Sequence, residues 1–145
     1  MKPYERELLL ERIDREAATV GATIPERIEV QGSEVALRDL VFEIRRQETV
    51  PEHDRERVAQ AKRNLRRERR ERRQRIEDDA VSFERGETLV ESIVGIERAL
   101  EGLQALDQGD IEAEARASQT AGERRWMNFL KQVLGEEDGT RLGGR

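Results

Sequence analysis

From Glu52 to Glu77 the chain runs 26 residues without a glycine or a proline. A stretch of that length and composition folds as one helix, about 39 Å long at 1.5 Å per residue. Its start is marked by Thr49-Val50-Pro51-Glu52: a capping candidate, a proline near the first turn and acidic residues after it. Val58, Ala61 and Leu65 give it an apolar stripe at helical spacing. The stripe then lapses, because Arg69 and Arg72 stand where the next apolar residues would fall, and it returns at Ile76.

Asp78 to Ser82 is too short a break for anything but an antiparallel return. Ser82 is placed to cap a second long helix carrying Leu89, Ile93, Ile96, Leu100, Leu103 and Leu106. Folding there sets Val58 opposite Leu103, Ala61 opposite Leu100 and Leu65 opposite Ile96. Nearer the turn, Arg69 faces Ser92 and Arg72 faces Leu89, where arginine stems cover the seam. Two of the three glycines in the second helix, at 86, 95 and 102, are expected to permit close helix approach.

Flanking segments complete a mainly α protein. Pro3 opens a first helix of about 15 residues, with Leu8, Leu9, Ile13, Ala17 and Val20 near one face and Gly21 as a stop. Ile28 and Val30, then Val35 and Leu37, alternate with other residues around Gln31-Gly32, predicting a small β-hairpin near the N-terminus. Residues 39–44 read as a short helix. Asp107 to Asp110 is a turn, and a final helix ends at Leu134. Residues 1–134 thus form a single helical domain built on a long hairpin at about 52–106. Residues 135–145, with four glycines and one apolar residue, read as a disordered tail.

Composition narrows the function. With 35% apolar, 3% aromatic and 41% charged residues, the chain buries narrow stripes between helices and no thick interior. The absence of cysteine excludes disulfides and thiolate sites. The lone His53 has no second histidine within helical reach and reads as solvated. No nucleophile–base pair, glycine-rich phosphate loop or metal spacing occurs, so neither an enzyme nor a cofactor is expected. Leu8-Leu9-Leu10 falls far short of the about 20 apolar residues that span a bilayer. The expectation is a cytoplasmic protein without a membrane.

The charge is segregated. Residues 62–75 hold nine basic and two acidic side chains, or +7, within a chain of net charge −5. Glu68 with Arg72, and Glu71 with Arg75, stand at i,i+4. Glu84, Glu87 and Glu91 are expected to answer Arg69, Arg72, Arg73 and Arg75 from the next helix. With Leu65 at the centre of the buried stripe, Arg63, Arg66, Arg67 and Arg70 point outward and Arg73 lies on the flank. Repulsion among them has no local return in a merely solvated helix. Guanidinium forks bind phosphate bidentately and stack on bases, which points to a polyanion: RNA or a ribonucleoprotein. No aromatic residue interleaves with the arginines to stack bases. An acidic protein partner or coiled-coil-like self-association is the alternative.

On the last helix, Trp126, Phe129, Leu130, Val133 and Leu134 share a face. It either closes the bundle, with Trp126 as the anchor, or offers Trp126, Phe129 and Leu130 to a partner's groove.

Basic residues are arginine at 24 of 27 positions, with lysine only at Lys2, Lys62 and Lys131. Scarce lysine, abundant Asp and Glu and no cysteine suit a salt-adapted archaeal proteome; GC-rich coding also favours arginine. The chain resembles a small family of uncharacterised haloarchaeal proteins. The likeness is carried by Tyr4-Glu5-Arg6 to Arg12-Ile13, Val20 to Pro25, Ala61 to Arg69, Leu89 to Ile96 and Arg125 to Leu130. It covers residues 1 to about 135 and implies a source, with no activity to transfer.

Overall fold

A computed structural model describes residues 1–17, 24–47, 50, 52–106 and 120–136. The long stretch is helical throughout: a single 3-10 turn at Glu52–Asp54 leads into α3, Arg55–Glu77. Asp79 adopts φ 55° in the turn after it, and the Ala80 N–H donates to the Arg75 carbonyl at 2.9 Å. The next helix, α4, spans Phe83–Leu106. Its start is capped as expected, with the Arg85 N–H donating to Ser82 Oγ at 3.1 Å.

Before this hairpin come α1 (Pro3–Ala17), strands β1 (Ile28–Val30) and β2 (Ser33–Val35), and α2 (Leu37–Arg46); after it comes α5 (Thr120–Leu134). The fold is therefore mainly α with one antiparallel β-hairpin near the N-terminus, and α3 and α4 pack together. The strands join through Gln31 and Gly32, at φ 50° and 84°. A two-residue turn with both φ values positive matches the strands' own twist. Pairing runs Ile28 to Val35 and Val30 to Ser33. Leu37 begins α2 and is no longer in the strand, which shortens β2 relative to the expected alternation.

Two apolar clusters sit at opposite ends of the α3–α4 pair. At the far end from the turn, Val58, Ala61 and Leu65 of α3 and Ile96, Leu100 and Leu103 of α4 share one core with the β-hairpin, α2 and α5. At the turn end, Ile76 joins Leu89, Val90, Ile93 and Val94 beneath Leu9 and Ile13 of α1. Leu8 is exposed, so the buried stripe of α1 is narrower than the sequence suggests. Close approach is built in at all three α4 glycines. A Cβ on Gly86 would lie 2.5 Å from Leu9 of α1; on Gly95 and Gly102 it would lie 2.5 Å from Leu37 and Ile44 of α2.

The polar fastenings are tertiary. Gln132 of α5 accepts from Ser33 Oγ through its carbonyl at 2.7 Å and from the Ala36 N–H through Oε1 at 3.0 Å. Asn64 of α3 donates to the Val133 carbonyl at 3.0 Å. Gly135, at φ 75°, closes α5, with the Glu136 N–H donating to the Lys131 carbonyl at 2.8 Å. The proposed tail beyond Glu136, the turn at Asp107–Asp110, and Val20 and Gly21 lie outside the described residues.

Candidate polyanion-binding face

The arginines of α3 divide into three groups by what holds them. Arg72 is structural. Its Nε donates to Glu68 at 2.8 Å, its other nitrogens donate to Ser92 Oγ at 3.0 Å and to the Glu29 carbonyl at 2.8 Å. Glu68, only 6% exposed, also accepts from the Gln31 N–H and Nε2 at 2.9 and 3.0 Å. This knot ties the β-hairpin turn to both long helices. The helix register therefore sets Arg72 beside Ser92, where the sequence placed Leu89.

Arg69 and Arg73 form the second group, half-buried and ion-paired. Arg69 pairs with Glu97 of α4, and not with the carboxylates nearer the turn. Arg73 reaches Glu77 at 3.2 Å and Asp14 of α1 at 3.8 Å. The expected answer from Glu84, Glu87 and Glu91 gives way because α1 lies across α4. Its Arg12 sits 3.6 Å from Glu87. The Arg12 guanidinium is held above its usual pKa chiefly by its hydrogen bond to Glu16, against the opposing effect of burial, with help from the charges of Glu16, Glu87 and Glu91.

The third group faces water. Arg63, Arg66, Arg67 and Arg70 are exposed, as the helical projection expects. Arg63 donates to Gln60 at 2.7 Å and lies 3.5 Å from Glu56; Arg67 lies 3.7 Å from Glu71. These exposed pairs contribute little. Arg66 and Arg70 have no carboxylate partner among the described residues. Arg75, expected to answer nearby carboxylates, is exposed and likewise has none there.

At about 100° per residue, Arg69, Lys62, Arg73, Arg66, Arg70, Arg63 and Arg67 follow one another across about 160° of one flank of α3. The acidic Glu68 and Glu71 fall on the other flank, and the two acids within the arc, Glu56 and Glu77, stand at the ends of the helix beside Arg63 and Arg73. One continuous basic face thus runs from the α1 side to open solvent. On the α1 side it borders a cavity of about 400 Å³ in which Arg66, Arg69, Arg70 and Arg73 converge. Asp14 and Glu97 are the carboxylates of this cavity, and Ile13 and Ile93 are its apolar side chains. A second cavity, of about 500 Å³, lies by the β-hairpin turn. There Arg72, Arg75 and Arg85 are balanced by Glu29, Glu68 and Glu71, so it has no excess charge to attract an anion.

Sequence reasoning assigned Arg69 to a seam and so missed its place in the basic cavity. The signal was available in its spacing, three residues after Arg66 and four before Arg73. A family model matches residues 1–131. The chain belongs to DUF5788, a family of unknown function. No curated protein and no solved structure matches it.

The C-terminal aromatic face has a different fate from the arginines. Trp126 and Leu130 are 1% exposed within the main core, and Phe129 packs against it half-buried. Docking a partner through these three would require α5 to leave the bundle, where Gln132 and Asn64 hold it. Exposed His53 lies 3.7 Å from Asp54. No helix among the described residues is long and apolar enough to cross a membrane.

Proposed function

We propose that this protein is a non-catalytic binding protein that contacts a polyanion, RNA or a ribonucleoprotein, through the basic face of α3. One observation carries the reading: Arg66 and Arg70 are exposed and lack carboxylate partners among the described residues, in the middle of a basic flank whose acids, Glu56 and Glu77, stand at its two ends beside Arg63 and Arg73. A helix kept only for stability gains by setting Glu four residues from Arg, as Glu68 and Arg72 do on the opposite flank. Arg67 and Arg73 keep such a partner in Glu71 and Glu77, but Arg66 and Arg70 have Lys62, each other and Gln74 at those positions, although the chain has 32 acidic residues to draw on.

Arg63, Arg66, Arg67 and Arg70 make the open contact, with Arg73 at its edge. Arg63 to Arg70 spans about 10 Å of helix, enough for successive phosphates on one strand. Guanidinium planes can also stack on bases in place of the missing aromatics. A salt-adapted archaeal cytoplasm is the setting we infer from the preference for arginine over lysine. At about 1 M salt the Debye length is near 3 Å, so diffuse attraction fades and close bidentate contacts carry the binding.

An acidic protein would meet the same face, and one experiment separates the two. Native complexes are resolved by size exclusion before and after nuclease treatment. The reading expects the large species to collapse to a smaller one on RNase treatment. A heterocomplex that survives nuclease unchanged points to a protein partner and overturns it.

A further inference from the structure

We infer that the cavity between α1, α3 and α4 is an end-binding site, taking the terminal phosphate of a nucleic-acid strand together with the nucleoside attached to it. This inference rests on the polyanion reading and specifies how one part of that face is used.

Charge is the first argument. Four guanidiniums converge on the cavity against two carboxylates, Asp14 and Glu97, leaving an excess of two positive charges. Glu97 engages Arg69, and Asp14 stands 3.8 Å from Arg73. The excess therefore resides on Arg66 and Arg70, four residues apart on one side of α3. A phosphodiester brings one negative charge; a terminal phosphate monoester brings about 1.5 to 2 at neutral pH and three oxygens for two forks.

Shape is the second. Toward the α3–α4 turn two contacts bridge the crevice from α1 to α3: Asp14 lies 3.8 Å from Arg73 and, beyond it, Arg6 donates to the Glu77 carbonyl at 3.5 Å. A strand laid along Arg63 and Arg67 that enters here from the Arg66 side meets these bridges at Arg73, and ending there leaves them in place.

The lining is the third. Ile13 and Ile93 lie beneath the cavity, 4% and 0% exposed, so its apolar surface comes from the arginine stems and its flat surfaces from the guanidinium planes, which a simple phosphate would not use and a sugar and base would. The volume of about 400 Å³ lies within the range of about 300–1,000 Å³ usual for small-ligand sites.

The test compares three oligoribonucleotides of one sequence, carrying a 5′-phosphate, a 3′-phosphate or hydroxyls at both ends, titrated against the full chain by fluorescence anisotropy. One phosphorylated end is expected to bind about tenfold more tightly than the hydroxyl form, and which end it is identifies the strand polarity. The double variant Arg66→Gln/Arg70→Gln should erase the preference. Arg63→Gln/Arg67→Gln should weaken all three oligonucleotides by the same factor and keep it. Circular dichroism verifies that both variants remain folded; their side chains are exposed. Equal affinity of all three oligonucleotides for the wild type overturns the end-binding site while leaving RNA binding intact. Absence of binding to any of them overturns the polyanion reading itself.

Discussion

Replacing Glu68 with alanine should cost about 3 kcal/mol of stability, although the residue sits in the middle of an arginine run that looks uniformly solvated. Its carboxylate accepts from Arg72 at 2.8 Å and from the backbone and side chain of Gln31 at 2.9 and 3.0 Å. Alanine would leave the Arg72 Nε and the Gln31 N–H without those partners. Removing one member of a buried ion pair costs about 3–5 kcal/mol. The Arg72 side chain is 12% exposed, beside a cavity that admits water, which places the loss at the lower end. In a domain of this size about 3 kcal/mol corresponds to a fall of about 10 °C in Tm. Urea unfolding followed by far-UV circular dichroism measures the loss directly, with an unchanged m-value showing that the same surface is exposed. Arg67→Ala, which removes a partner of exposed Glu71, is the internal control and should change stability by less than about 0.5 kcal/mol. A Glu68→Ala loss no larger than the control's would refute the division of this helix into a structural flank and a binding flank.

Other consequences follow from buried positions. Burial, and after it the charge of Arg66, holds the Lys62 pKa below its ordinary 10.5. The protonated form thus burdens the folded state at neutral pH, and the burden fades as pH rises through the lowered folded pKa toward 10.5. The stability of Lys62→Met relative to wild type should therefore fall as pH climbs toward 10.5; a difference independent of pH contradicts this. Gly95→Ala gains about 1 kcal/mol of helix propensity. It must also displace Leu37 and Ile24, which a Cβ would meet at 2.5 and 3.0 Å. Overpacking of that kind costs about 1–3 kcal/mol, so the net outcome in chemical denaturation is neutral to destabilising, and clear stabilisation would show that α2 gives way freely. Trp126, 1% exposed, should emit far to the blue of tryptophan in water and shift red only with global unfolding; a red emission from the native protein would place α5 outside the bundle.

The hairpin was legible because its pattern is local. Val58, Ala61 and Leu65, a break at Asp78–Ser82, and Leu100 and Leu103 at helical spacing leave one economical folding. The outward set Arg63, Arg66, Arg67 and Arg70 follows from the same periodicity. What escaped notice depends on contacts between elements distant in sequence. Nothing near Arg72 announces Gln31 or Glu29, about 40 residues away. The burial of Glu68 depends on the hairpin turn arriving above it. Likewise, nothing in the sequence shows that α1 brings Arg12 to Glu87 of α4, or that Arg69 takes Glu97 instead. Leu8 and Leu9 are neighbours of equal hydropathy, and only the docking angle of α1 decides which one is buried. The aromatic face of α5 fits both a core and a docking helix in sequence; Gln132, reaching back to Ser33 and Ala36, ties it to the core.

The central claim, that the outer arginines of α3 neutralise phosphates, is tested most directly by salt dependence. Affinity for a single-stranded oligoribonucleotide is measured by anisotropy across a series of salt concentrations, for wild type and for Arg63→Gln/Arg66→Gln/Arg67→Gln/Arg70→Gln. Each neutralised phosphate contributes about 0.7 to the slope of log K against log salt on a single strand. The variant's slope should therefore be shallower by about 3, with its helicity unchanged. Equal slopes for the two proteins, or tight binding by the variant, would contradict the claim that this face is where the polyanion sits.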